Sequence, residues 1–126
     1  MNRKTFENYM SEYAETVTQK PNRYKHKRST HVAMLVHDGR ILHYGVNMNL
    51  YSDFVDKYNP LKCLHAETVA VLKALKRDAR KLSECEMWVT RTIGPDMYSK
   101  PCKMCSAMLR KYKIKVRYTD EKGNWL

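Results

Sequence analysis

Long apolar runs are what this sequence lacks most plainly: the longest spans only a few residues, far short of the ~20 that a membrane-crossing helix needs. The first thirteen or so positions mix charges with scattered aromatics, and they hold neither an apolar core nor a small-residue cleavage site. That argues against a secretory leader. Internal repeats, low-complexity tracts and compositional breaks are also missing, so nothing in the sequence divides the chain. Acidic residues are scarce, 13 against 24 Lys and Arg, for a formal net charge of +11. Such a field attracts polyanions and phosphorylated ligands and says nothing of fold. There are only four cysteines, Cys63, Cys85, Cys102 and Cys105. A C-x-x-C pair in a chain not expected to be secreted reads as metal or redox chemistry in a reducing, cytoplasmic compartment, not as a disulfide framework.

What is present suffices for a single domain covering 1–126, which should bury roughly two-thirds of its unfolded surface. Phe6, Met10, Tyr13, Ala14 and Val17 recur at helical spacing, predicting a helix over 6–17 that caps a sheet. A basic connector, 21–30, leads to two apolar runs around Asp38-Gly39, which predict a hairpin of strands 32–36 and 41–46. A long loop, 47–63, carries Tyr51, Phe54, Tyr58 and Pro60 and is expected to wall a pocket. Further on, the patterning predicts a helix over 65–77, a strand over 86–91, a helix over 102–112 opened by Pro101, and a strand over 114–119. A turn at 120–123 then leaves a strand stub or docked tail. The order α-β-β-α-β-α-β indicates an α/β fold, a mixed sheet flanked by helices.

The chemistry is concentrated in His65-Ala66-Glu67 and Pro101-Cys102-Lys103-Met104-Cys105. Together these offer three soft or borderline ligands and one carboxylate that need not be a ligand. A structural zinc site closes with four protein ligands, whereas a hydrolytic one keeps a position for water. Cys63, two residues before His65, is the alternative: as a fourth ligand it would close the site. A redox pair leaves His65 and Glu67 without a role. His65 and Glu67 would diverge in mid-helix, so both serve one site only at a helix's first turn, where the sequence places them.

This compound motif, H-x-E with P-C-x-x-C, closely resembles the signature of the zinc-dependent cytidine and deoxycytidylate deaminase superfamily. The resemblance spans most of the chain, from the hairpin to Thr119. It implies one zinc ion per chain held by His65, Cys102 and Cys105, with Glu67 as general acid and base. It also implies a three-layer α/β/α architecture with a truncated C-terminus, the last strand and helix of larger relatives being missing or reduced. Asn47, in Gly45-Val46-Asn47, resembles the family position that touches the substrate's sugar or base. Ala66 is counted among the substrate-binding residues as well. Homo-oligomers are common in the family.

The resemblance implies hydrolytic deamination of a cytosine-containing nucleoside or nucleotide, and phosphate recognition by a basic protein makes deoxycytidylate the first expectation. Lys27 and Arg28, in the run Lys25-His26-Lys27-Arg28, are candidate phosphate contacts, and Tyr98 is a candidate for stacking on the base. The bland readings are a solvated basic face and a loop anchor. A deaminase of cytosine or adenine in single-stranded DNA or RNA is the alternative function, and a non-catalytic zinc module binding nucleic acid is a third. Cys85, Trp88 and Trp125 read as packing residues, and Met104 as packing beneath the metal.

Overall fold

The computed structural model describes residues 2–21, 29–49 and 63–126. Lys25 to Arg28 and the aromatic loop with Tyr51, Phe54 and Tyr58 lie outside the described residues, as do the side chains of Asn49, Cys63 and Leu64. Helix α1 spans Arg3–Gln19, a turn earlier than the apolar spacing predicts, because Asn2 caps it by accepting from the Thr5 amide at 2.9 Å. Strands β1 (Thr30–His37) and β2 (Arg40–Val46) form the expected hairpin. Asp38 and Gly39 both adopt positive φ, 50° and 73°, as a tight two-residue turn of this twist requires.

Two short strands, β3 (Met48–Asn49) and β4 (Cys63–Leu64), pair with each other and close the base of the long loop. Helix α2 (Ala66–Arg77) follows, then a short 3-10 helix over Ala79–Glu84 that the sequence does not signal. Strand β5 (Glu86–Ile93) leads through a loop to α3 (Lys103–Lys111), and β6 (Lys115–Tyr118) ends the sheet. The tail docks through a bridge between Thr119 and Trp125.

Sheet order is β2-β1-β5-β6, with β1 antiparallel to both neighbours and β6 parallel to β5. Alternation along β1 and β5 builds a core on each face. Val32, Met34, Val36 and Trp88 meet Met10, Ala14 and Val17 of α1 on one side. On the other, Ala33, Leu35, Met87 and Val89 meet Ala70, Val71 and Ala74 of α2 and Leu109 of α3. The result is the expected α/β/α layering, with Trp88 and Trp125 packed at a centroid distance of 4.9 Å. No helix among the described residues is long and apolar enough to cross a membrane.

Candidate metal centre

The N-termini of α2 and α3 are brought together, and the sequence motifs sit on them in a particular way. His65 is the N-cap of α2, with extended backbone (φ −72°, ψ 152°), and Cys102 is the N-cap of α3 (φ −68°, ψ 171°). Pro101 therefore precedes the cap of α3 and does not lie in its first turn. Since a cap residue is outside the helical spiral, its side chain can fold over the first turn. Cys102 thereby reaches Cys105 at the third helical position, and His65 shares a side with Glu67 at the second.

His65 Nδ1 lies 3.5 Å from Cys102 Sγ and 3.3 Å from Cys105 Sγ. All three donor atoms fall within 4.8 Å of one another, and among the described residues they are the one such group. Zinc bonds of about 2.3 Å to sulfur and about 2.0 Å to nitrogen, set tetrahedrally, separate an N and an S ligand by about 3.5 Å. The observed spacings fit that ion. Two thiols and an imidazole are also the donor set that zinc prefers over hard cations.

Glu67 is buried, at 5% exposure. Burial raises its carboxyl above the usual range, partly offset by its own backbone amide, His65 and a hydrogen bond from Cys105. Burial also pushes the Cys105 thiol well up, reinforced by the Glu67 and Cys102 charges and eased by Thr68. A bound cation inverts this logic by taking the thiolate as a ligand. The exposed N–H groups of two helix termini favour anionic side chains at the same point.

Residues that the motif does not reveal hold this arrangement. A Cβ on Gly45 would overlap Ala66 O and lie 2.7 Å from Ala70 N and 2.8 Å from Val69 Cβ. Gly45 thus lets α2 lie against β2; a glycine inside a predicted strand is the available signal for so close an approach. Ser99, buried in the loop before Cys102, donates to Val89 O at 2.7 Å and accepts from Thr119 N at 2.8 Å. Its hydroxyl also meets Thr119 Oγ1 at 2.8 Å. Nothing in the sequence marks it. Arg91 reaches Ser29 Oγ at 2.9 Å and Asp96 at 3.6 Å, joining the start of β1 to the same loop.

Ala66, between His65 and Glu67 in sequence, is buried as the first residue of α2. Asn47 stands just beyond β2, where its carboxamide accepts from His31 N and donates to Ser29 O, both at 2.8 Å. Tyr98 is 42% exposed and meets Tyr118 edge-on at 6.2 Å. Met104, expected beneath the metal, is 70% exposed instead, because the second position of α3 points away from the sheet. Cys85 is buried, its thiol donating to Lys81 O.

The family model described as the cytidine and deoxycytidylate deaminase zinc-binding region matches residues 4–119. Among solved structures, the chain is similar to the dCMP deaminase of the cyanophage S-TIM5 in apo form. It is 30% identical to that protein over 94% of this chain and 85% of the other, with a TM-score of 0.60. The same deaminase in complex with dCMP and dUMP matches at 27% identity over 92% and 81% of the two chains, with a TM-score of 0.57. No curated protein matches.

Proposed function

The chain belongs to the cytidine and deoxycytidylate deaminase family, and from that premise we propose that residues 1–126 form one deaminase domain converting deoxycytidylate to deoxyuridylate with release of ammonia. The observation that carries the reading is a buried carboxylate, Glu67, two residues from His65 on the helix whose N-cap supplies one member of a three-donor set that fits zinc. The dCMP and dUMP held by the cyanophage relative support this choice of substrate.

His65, Cys102 and Cys105 would hold the zinc ion, which would supply the Lewis acidity that makes water nucleophilic near neutral pH. Glu67 takes the proton of the attacking water on its carboxylate and passes it to the ring nitrogen beside the reacting carbon. The carboxylate then takes the proton of the new C–OH group and passes it to the amine, which departs as ammonia as the C–N bond breaks and the carbonyl forms. The raised affinity of Glu67 for a proton, a result of burial, suits a group that must both accept and return it. Ala66, at the start of α2, offers its backbone to the ring, and Asn47 uses its remaining oxygen lone pair on the sugar. Tyr98 stacks on the base, and Lys27 and Arg28 meet the phosphate.

The test is to incubate zinc-loaded protein with deoxycytidylate and follow deoxyuridylate and ammonia, beside Glu67→Gln and Cys63→Ser. Glu67→Gln is expected to keep its zinc and lose turnover by at least 10²–10⁴-fold, the usual worth of general acid–base catalysis. Cys63→Ser is expected to keep both. Loss of zinc from Cys63→Ser, or turnover by Glu67→Gln close to the parent's, would overturn the reading.

A further inference from the structure

On the side of the sheet away from α1, α3 and β6 border a groove of about 290 Å³ just behind the loop that carries Cys102. Its floor is apolar, formed by Pro101, Ile114 and Val116; Tyr118 lies along it, and Lys100 and Arg110 stand at its mouth, both solvent-exposed. The stretch 97–119 that builds it holds Lys100, Lys103, Arg110, Lys111, Lys113, Lys115 and Arg117 without one acidic residue. Among the described residues, the only ion pair this stretch makes is Arg117 with Glu86 at 4.0 Å, where Arg117 also lies over the Trp88 ring at 5.0 Å. Lys100 and Arg110, the two cations that line the groove, make no ion pair among the described residues, so both charges are available to a bound polyanion.

The floor narrows the choice of polyanion. A free phosphate needs the cations but gains nothing from an apolar trough. A duplex keeps its bases stacked inside and offers the trough nothing. Unpaired bases have exposed π-faces that gain from apolar and aromatic contact, while their phosphates need cations spaced along the path. Tyr118 is held in place by Tyr98, edge-on at 85°, which keeps the Tyr118 ring set as a platform. We propose that the groove between α3 and β6 binds single-stranded nucleic acid, with phosphates at Lys100 and Arg110 and a base against Tyr118. The inference is independent of the deaminase reading, since binding there requires no turnover.

The experiment is fluorescence anisotropy of a labelled oligothymidylate, which carries no amino group to remove, with zinc-loaded protein across a salt series. For a single strand, each phosphate contact contributes about 0.7 to the slope of log K against log salt. The double variant Lys100→Gln/Arg110→Gln is expected to flatten the slope by roughly 1.4 and to weaken binding on the order of tenfold at moderate salt. Lys76→Gln/Arg80→Gln, which removes the same charge from exposed positions elsewhere, is expected to do far less. Tyr118→Leu should weaken binding on the order of tenfold without changing the slope. Melting temperatures of the variants verify that each is folded. Excess deoxycytidylate or inorganic phosphate at matched ionic strength should not displace the oligonucleotide. Equal losses from the two charge pairs, displacement by either small anion, or equal affinity for a duplex would each overturn the proposal.

Discussion

Gly45→Ala tests the packing that places the metal centre. The added methyl carbon would overlap Ala66 O and stand 2.7 Å from Ala70 N and 2.8 Å from Val69 Cβ. Unstrained contacts begin near 3.5 Å. Two of these three atoms are backbone, so no rotamer change relieves them, and the first turn of α2 must retreat from β2 by roughly 1 Å. Overpacking of this kind costs about 1–3 kcal/mol. Its effect on function should be larger than its effect on stability, because the displaced turn carries Ala66 and Glu67 and begins at His65, while Cys102 and Cys105 stay on α3. A misplacement of about 1 Å can cost on the order of 10²-fold in rate. Urea denaturation, zinc content after dialysis against a competing chelator, and turnover of deoxycytidylate should be measured together. The expected pattern is modest destabilisation with weakened zinc retention and a disproportionate fall in kcat. If Gly45→Ala retains zinc and turns over like the parent, the close approach of α2 to β2 is not what sets the site.

Removing the Ser99 hydroxyl with Ser99→Ala leaves Val89 O and Thr119 N buried without their shared partner, an expected loss of about 1–3 kcal/mol in urea denaturation; a loss of under a few tenths would show that the loop is held by other means. Asp120 gives a pH prediction: the Asn124 amide, and then that of Lys122, hold its carboxyl below the ordinary carboxylate range. A depressed carboxyl stabilises the fold above its unfolded value, about pH 4, and the contribution fades as pH falls through the folded value. NMR titration should show the Lys122 and Asn124 amides moving only below pH 4, and a midpoint at or above 4 would refute the assignment.

The sequence is legible where a local rule acts alone. Asp38-Gly39 specifies a turn whose φ values only a few residue types tolerate, and the hairpin follows. The spacing of Met10, Ala14 and Val17 yields α1 because burial against the sheet needs one apolar face and little else. The 3-10 helix at Ala79–Glu84 has no such signature, since i to i+3 bonding over six residues leaves no periodicity to read. Ser99 and Arg91 escape for a different reason. Their roles depend on Val89, Thr119 and Ser29, partners that only the folded sheet brings near.

The motif spacing acquires a physical meaning once the caps are known. His65 and Cys102 each occupy an N-cap, yet neither makes the side-chain hydrogen bond to the first turn that normally stabilises this position. A good cap is worth about 0.5–2 kcal/mol per helix, so both helices forgo that stabilisation and leave their N–H groups facing the metal centre. Cys102→Ser reverses the trade at one helix: serine is a preferred cap, with an oxygen placed to accept from the first turn. In chelator, where no metal contributes, the variant should be more stable than the parent by about 0.5–1 kcal/mol in urea denaturation. With zinc present the order should invert, because the parent gains the binding energy of a complete ligand set and the variant does not. A Cys102→Ser variant no more stable than the parent in chelator would mean that the cap is already satisfied, and that the two helix termini are not what the motif reserves for the metal.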